Sequence, residues 1–220
     1  MNYAIILASG IGSRIGEKTP KQFIKINGKT ILEHTIEAFE KNKNTDKIIL
    51  VVHKDYVEFC KKFNFKKLYK VVEGGKRRQD SSKIGVDLIN EDSAKVLIHD
   101  GARPFISNEI IDNCYIALDN YDAINTGIET TDTIVVVENN IMVNTLDRNK
   151  LILCQTPQGF KSSLIKKAHN LAIKENIEVT DDVSLITKLN LGKVFIVKGD
   201  NKNIKITYPK DIDFAKENLK

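Results

Sequence analysis

Cysteine is scarce in this chain of 220 residues: it has three, Cys60, Cys114 and Cys154, and tryptophan is absent. No two of the cysteines stand at metal-ligand or redox spacing, which argues against a zinc site or a disulfide framework and leaves all three as small buried hydrophobes. No apolar run is long enough to span a bilayer. Met1-Asn2-Tyr3 leads into an apolar stretch with no basic n-region or cleavage site, so the sequence predicts a cytoplasmic protein with no membrane partner. Aromatic residues are only 7% and rarely interleave with the basic ones, and no nucleic-acid motif is present, so nucleic acid is not an expected partner either. Internal repeats, low-complexity segments and flexible linkers are also lacking. Residues 1–220 therefore read as one domain, long enough to bury a sizeable core.

What is present is the composition of an ordinary globular protein, 41% hydrophobic and 29% charged, with a net charge of +5. Much of the excess lies in residues 61–78, where Lys61, Lys62, Lys66, Lys67, Lys70, Lys76, Arg77 and Arg78 face a single acid, Glu73. A solvated face accounts for Lys61 to Lys70. The end near Gly74–Ser81, where two glycines meet several cations, reads as a phosphate-binding loop.

Strand and helix signals alternate, which predicts a Rossmann-like, three-layer α/β fold around a mainly parallel sheet. Ala4–Ala8 is a short apolar run of the kind buried on both faces. Thr30 stands where a helix cap belongs, before Ile31, Leu32, Ile36 and Phe39 at helical spacing. Further strands are expected at Ile48–Val52, Tyr69–Val72, Val96–His99, Val194–Val197 and Ile204–Thr207. Further helices are expected at Tyr56–Phe63, Ser81–Leu88, 107–119, 161–174, 182–189 and after Pro209. Thr131–Val137 and Ile141–Thr145, separated by Glu138-Asn139-Asn140, break the rhythm and predict a hairpin inserted as a β-arm at about residues 129–148.

The first strand ends in Leu7-Ala8-Ser9-Gly10-Ile11-Gly12-Ser13-Arg14, followed by Thr19-Pro20-Lys21-Gln22. Glycines here let backbone N–H groups approach a phosphate, and Arg14 and Lys21 supply countercharge. The loop lacks the Gly-Lys-Ser/Thr ending of a P-loop. It also departs from the dinucleotide fingerprint: the third glycine, Gly16, falls one place late, and no acid stands at the ribose-binding distance. Both absences count against an NAD-dependent oxidoreductase. No Ser-His-Asp or Cys-His arrangement is available, so chemistry that runs on positioning and charge stabilisation fits better than a protein nucleophile.

The order Gly-x-Gly-x-Arg then Pro-Lys-Gln resembles the sugar-phosphate nucleotidyltransferases, above all the methylerythritol-phosphate and ribitol-phosphate cytidylyltransferases. Further blocks along essentially the whole chain agree: Gly74–Ser81, His99–Phe105, Asp132-Thr133, Asp147-Arg148-Asn149, Thr156-Pro157-Gln158, Thr180-Asp181-Asp182 and Asn203–Thr207. The resemblance implies transfer of CMP from CTP to a polyol phosphate with release of pyrophosphate. It implies Arg14, Lys21 and Lys205 as catalytic cations, and Ala8, Ser9, Gly10, Gly12, Gly75, Ser81 and Asp100 as nucleotide-binding residues. Arg103, Thr133, Arg148 and Thr156 would bind the polyol phosphate. Mg2+ would be held mainly through the CTP phosphates, with no dedicated protein ligands. The arm would cross to a second subunit, making a homodimer in which Arg148 serves the neighbour's site.

Each residue also has a plainer reading. Gly74-Gly75 suits an ordinary turn, Ser81 a helix cap, Asp100 a turn before Gly101, and His99 a structural place in a buried strand. Two features depart from the family pattern: Ser9 replaces a small Ala or Gly, and Lys76-Arg77 replace a small residue and an acid. Asp147-Arg148-Asn149 and Thr180–Leu185 favour methylerythritol phosphate as acceptor, whereas Ile6–Arg14 and Glu129–Ile134 lean toward ribitol phosphate; the first is the preferred reading. A non-catalytic nucleotide-binding protein is the remaining alternative, and the retained cations Arg14, Lys21, Arg148 and Lys205 argue against it.

Overall fold

The computed structural model describes residues 1–10 and 19–219, so Gly12 and Arg14 lie outside the described residues. The chain opens with β1 (Asn2–Ala8), a small hairpin of β2 (Lys25–Ile26) and β3 (Lys29–Thr30), then α1 (Ile31–Lys41) and β4 (Lys47–Val52). A short α2 (Val57–Cys60) leads to β5 (Leu68–Glu73), α3 (Arg78–Asp87), β6 (Lys95–Asp100) and α4 (Asn108–Asn120). After β7 (Ala123–Glu129) come the arm strands β8 (Val135–Glu138) and β9 (Ile141–Thr145), then β10 (Ile152–Lys161). The chain closes with α5 (Ser162–Lys174), α6 (Val183–Lys188), β11 (Val194–Lys198) and α7 (Pro209–Asn218).

Seven strands form one sheet in the order β11-β7-β10-β6-β1-β4-β5. β1 lies parallel to both β4 and β6, while β10 runs antiparallel to both β6 and β7. The mainly parallel, three-layer architecture expected from the alternation is present. Ala4, Ile6 and Ala8 of β1 join Leu32, Ile36 and Phe39 of α1 and Ile111 of α4 in one core layer. Tyr3, Ile5 and Leu7 face the opposite layer with Val86 of α3, Ile165 of α5 and Leu185 of α6. Full burial of each Leu, Ile or Val side chain among these stabilises the fold by about 1.5–3 kcal/mol, which is why β1 carries almost no polar residue.

α1 starts where Thr30 indicated. The Glu33 N–H donates to Thr30 Oγ1 (3.1 Å), and the Glu33 carboxylate accepts the Thr30 N–H (2.8 Å). Such a reciprocal cap contributes about 1 kcal/mol.

Several local expectations are corrected. Residues 204–207 form no strand; Ile206 donates its N–H to Ala102 O (2.9 Å), an isolated link rather than a ladder. The helix expected at 56–63 contracts to Val57–Cys60 after a 3-10 turn at Lys54–Tyr56. Cys154 is exposed, whereas Cys60 and Cys114 are buried. α3 begins at Arg78, so Ser81 is inside its first turn rather than its cap. β7 and β10 were not legible as strands. β10 carries Gln155-Thr156-Pro157-Gln158-Gly159, a stretch without apolar alternation, and its register against β7 shifts between Cys154 and Gln158, around a proline that has no N–H to donate.

The hairpin of β8 and β9 forms a separate sheet turned by Asn139 (φ 51°) and Asn140 (φ 66°), the left-handed pair that a two-residue turn requires. Every residue of both strands is exposed.

Candidate active site

Because β4 leaves β1 on one side and β6 flanks it on the other, the carboxyl end of β1 lies at a reversal of strand order, where open α/β sheets form ligand crevices. A cavity of about 230 Å³ opens there. Ala8, Ser9 and Gly10 line it from the end of β1, and Lys21 from the following loop. Gly75 enters from the β5–α3 connection, Arg78 from the start of α3, Asp100 from the end of β6, and Lys205 from near the carboxyl terminus. Residues nearly two hundred positions apart in the chain thus converge on one cavity.

Gln22 shows why Pro-Lys-Gln follows the glycine loop. Its Nε2 donates to the carbonyls of Ala8 (2.8 Å) and Gly10 (2.7 Å), pinning the loop from beneath. Across the cavity, Ser9 Oγ and Ser81 Oγ share a hydrogen bond of 2.8 Å, and Ser81 Oγ accepts the Gly75 N–H at 3.1 Å. Ser81 is fully buried, so it joins the two loops from behind and leaves Ser9 facing the cavity. Gly74 is required here, because a Cβ on it would stand 2.5 Å from Ser9 Cβ.

Asp100 is the electrostatic centre. Its Oδ2 lies 3.0 Å from Lys205 Nζ and 3.4 Å from Arg103 Nε, and its Oδ1 lies 3.4 Å from Arg78 Nε. Burial opposes its ionisation, but Lys205, Arg78 and Arg103 outweigh burial and hold the carboxyl well below the usual carboxylate range. The site keeps a surplus of positive charge around one anion, suited to polyanionic ligands. Arg103 is anchored by Nη1 donating to Asn203 O (2.7 Å), which ties the strand end to the loop that carries Lys205.

His99 is structural, as expected. It is fully buried, and burial pushes its imidazole down to about 4. One ring nitrogen pairs with Arg103 O (3.1 Å) and the other with Thr156 Oγ1 (3.0 Å), while Thr156 Oγ1 also accepts the Asp100 N–H (3.1 Å). Thr156 therefore lies beneath Asp100, 5% exposed and outside the cavity lining.

Two sequence candidates stand elsewhere. Thr133 is exposed at the root of the arm, and Arg148 lines a separate recess with Glu129, Thr130 and Thr131, donating from Nη1 to Thr131 O at 3.2 Å. Arg14 and Gly12 fall outside the described residues. Sequence reasoning placed Arg78 only among the cations of the expected phosphate-binding loop and gave no role to Asp182, to whose Oδ2 Arg78 Nη1 donates at 2.7 Å. Both belong to quoted motif blocks, but nothing local announces a pair separated by 104 positions. The Lys76-Arg77 departure has a partial explanation: Arg77 pairs with Asp80 and with Glu178, and Lys76 lines the cavity.

Comparison with known proteins follows the same outline. The chain matches the family model IspD, 2-C-methyl-D-erythritol 4-phosphate cytidylyltransferase, over residues 2–220. A 2-C-methyl-D-erythritol 4-phosphate cytidylyltransferase of Clostridium perfringens is 44% identical over 223 residues, covering 99% of this chain and 98% of the relative. The crystal structure of 4-diphosphocytidyl-2C-methyl-D-erythritol synthase from Anaerococcus prevotii superposes with a TM-score of 0.86 at 31% identity, covering 99% of this chain and 97% of that one. A bifunctional ribulose 5-phosphate reductase/CDP-ribitol pyrophosphorylase of Haemophilus influenzae is 39% identical over 97% of this chain, which matches 47% of that longer protein.

Proposed function

We propose that this chain, which belongs to the 2-C-methyl-D-erythritol 4-phosphate cytidylyltransferase family, transfers CMP from CTP to 2-C-methyl-D-erythritol 4-phosphate and releases pyrophosphate. The observation that carries the reading is the convergence of Ala8–Gly10, Lys21, Gly75, Asp100 and Lys205 on one cation-rich cavity. An oxygen of the acceptor phosphate attacks the α-phosphorus of CTP, and the bond from that phosphorus to the bridging oxygen of the leaving pyrophosphate breaks. Negative charge shifts onto the leaving group, and the fixed cations Lys21 and Lys205 stabilise it without needing to reorganise. Arg14 has the same role in this proposal. Ser9, Gly10, Gly75 and, through Ser9, Ser81 hold the nucleoside end.

Magnesium fits this site as an ion carried on the nucleotide. Among the described residues no group of three His, Cys, Asp or Glu is arranged to hold a metal, and Asp100 is already engaged by three cations. Phosphate oxygens and water suit its preference for oxygen ligands, and the bound ion would neutralise phosphate charge.

The functional unit in this reading is a homodimer. The arm exposes Val137, Ile141, Met142 and Val143, each at least half accessible, and Arg148 and Thr133 stand apart from their own chain's cavity. A second copy covering the arm would bury that apolar surface and bring Arg148 and Thr133 toward the acceptor side of a neighbouring site, where Arg103 belongs. No helix of the described residues is long and apolar enough to cross a membrane, and the reading assigns the enzyme to the cytosol, where CTP is available.

The test is pyrophosphate release with CTP and magnesium, run in parallel on 2-C-methyl-D-erythritol 4-phosphate and D-ribitol 5-phosphate. Turnover of the first is expected. The Haemophilus influenzae relative makes ribitol phosphate the informative rival, and preference for it would overturn the acceptor assignment while leaving cytidylyl transfer intact.

A further inference from the structure

A line of alternating charges runs from the cavity into the protein: Lys205, Asp100, Arg78, Asp182. Asp182 closes it at the start of α6, with its side chain only 1% exposed. The Asp182 N–H donates to Gln158 Oε1 on β10 (2.9 Å), and the carboxylate Oδ1 stands 3.5 Å from His169 Nε2 on α5. The far end of the line is thus held at its backbone by β10 and at Oδ2 by Arg78, while the buried Oδ1 has no hydrogen-bond partner among the described residues.

Arg78 lines the cavity at the start of α3, yet its side chain is only 25% exposed. Its Nη1 is taken by Asp182 at 2.7 Å, its Nε points to Asp100 Oδ1 at 3.4 Å, and its buried Nη2 has no hydrogen-bond partner among the described residues. A guanidinium fork with one prong locked by a buried carboxylate has a fixed direction. By occupying Oδ1 of Asp100, it sets the rotation of that carboxylate. The other oxygen, Oδ2, then faces Lys205 and Arg103.

We infer that Arg78 and Asp182 are positioning residues for the transfer: Asp182 aims Arg78, Arg78 orients Asp100, and Asp100 holds Lys205 where charge builds on the reacting phosphoryl group. The inference rests on the role proposed above for Lys205. Its physical basis is that an ammonium on a flexible stem gains catalytic value only when its place is set beforehand. Lys205 is 39% exposed and has four rotatable carbons, so Asp100 is what restrains it. Two opposite charges kept inside the protein at this position carry a desolvation cost that an apolar pair would avoid. A role in setting Lys205 gives the pair a reason to be ionic.

Positioning residues act on the transition state more than on ground-state binding, so the effect should appear in kcat. The variants are Asp182→Asn, Arg78→Lys and Lys205→Ala, with Asp182→Asn also combined with Lys205→Ala. A paired Arg78→Met/Asp182→Leu variant removes both charges together, which a fold tolerates better than one orphaned buried charge. All are assayed by pyrophosphate release on folded protein, with folding checked by thermal unfolding. Expected is a fall in kcat of about 10–100-fold for Asp182→Asn, Arg78→Lys and the paired variant, with KM for CTP changed by less than about threefold. In the Lys205→Ala background, Asp182→Asn should lower kcat by less than about twofold more, because the residue it serves is gone.

Should Asp182→Asn fail to fold, the paired variant and Arg78→Lys carry the same test. Unchanged kcat in any folded variant that breaks the line, or a full additional loss on top of Lys205→Ala, overturns the inference. If Lys205→Ala by itself leaves kcat unchanged, the proposed role of Lys205 fails and the inference falls with it. If Lys205→Ala is slow while Asp182→Asn is not, the inference alone fails.

Discussion

Lys205 Nζ stands 3.0 Å from Asp100 Oδ2, joining a loop near the carboxyl terminus to the end of β6 across the mouth of the cavity. The pair leaves part of the ammonium available: Asp100 takes one of its three N–H donors and the others can meet a bound polyphosphate, while Arg78 and Arg103 still neutralise Asp100 when Lys205 is removed. Lys205→Ala is therefore expected to fold normally and to lose about 10²-fold in kcat, comparable to removing one preorganised donor from a transition-state site. Steady-state pyrophosphate release checks this, and wild-type kcat in the variant would refute the assignment.

Gly74 offers a test of the nucleotide side. A Cβ there would meet Ser9 Cβ at 2.5 Å and Ser81 Oγ at 2.8 Å. Gly74→Ala should destabilise the protein by about 1–3 kcal/mol through overpacking and weaken CTP binding by pushing Ser9 into the cavity. Adding Ser9→Gly removes the atoms in the way and should recover most of the lost stability. Urea unfolding and calorimetric CTP titration separate the two effects; no recovery in the double variant would mean that the strain lies elsewhere.

Arg148 tests the shared site. If it serves the neighbouring subunit, neither Arg148→Ala nor Lys21→Ala is active alone, but a mixed dimer contains one site with both residues intact. Random mixing makes half of the dimers mixed, so co-refolded variants should regain about a quarter of wild-type activity. An Arg148 that acts within its own chain predicts no recovery. Sedimentation of an Ile141→Asp variant, expected to shift toward monomer, is an independent check on the arm.

The buried His99 predicts a pH dependence of stability. Its folded value is lowered to about 4 by burial, against an ordinary 6.5, so the unfolded chain binds the proton more readily between those values. The contribution is fully present above pH 6.5 and is lost as pH falls toward about 4, a change of roughly 3 kcal/mol. His99→Gln should flatten that part of the stability curve in urea titrations at several pH values. An unchanged slope would mean that His99 is not the group responsible.

Much of the fold was legible because burial leaves a periodic trace. The apolar run of β1, the Thr30 cap and the Asn139-Asn140 turn all follow from local chemistry. β10 left no such trace. Its centre is polar because its residues hold other elements in place: Gln155 donates to Asp200 O, Thr156 supports Asp100, and Gln158 receives the Asp182 N–H. A strand whose side chains bind distant loops does not alternate in hydrophobicity, and so it was missed. Residues 204–207 failed in the opposite sense: apolar alternation was present, but Ile206 is buried beside α7 and the β2–β3 hairpin rather than in a ladder.

The sequence by itself determined the α/β layering, the glycine loop with its Pro-Lys-Gln partner and the likeness to cytidylyltransferases, because each is written in neighbouring residues. Only the tertiary structure decided which cations meet. Lys21, Arg78 and Lys205 come together because three connections end at one reversal of strand order. Asp182 became visible only as the buried anion that aims Arg78. Partners of this kind are chosen by distance and by the cost of an unpaired buried charge, and neither is encoded in spacing along the chain.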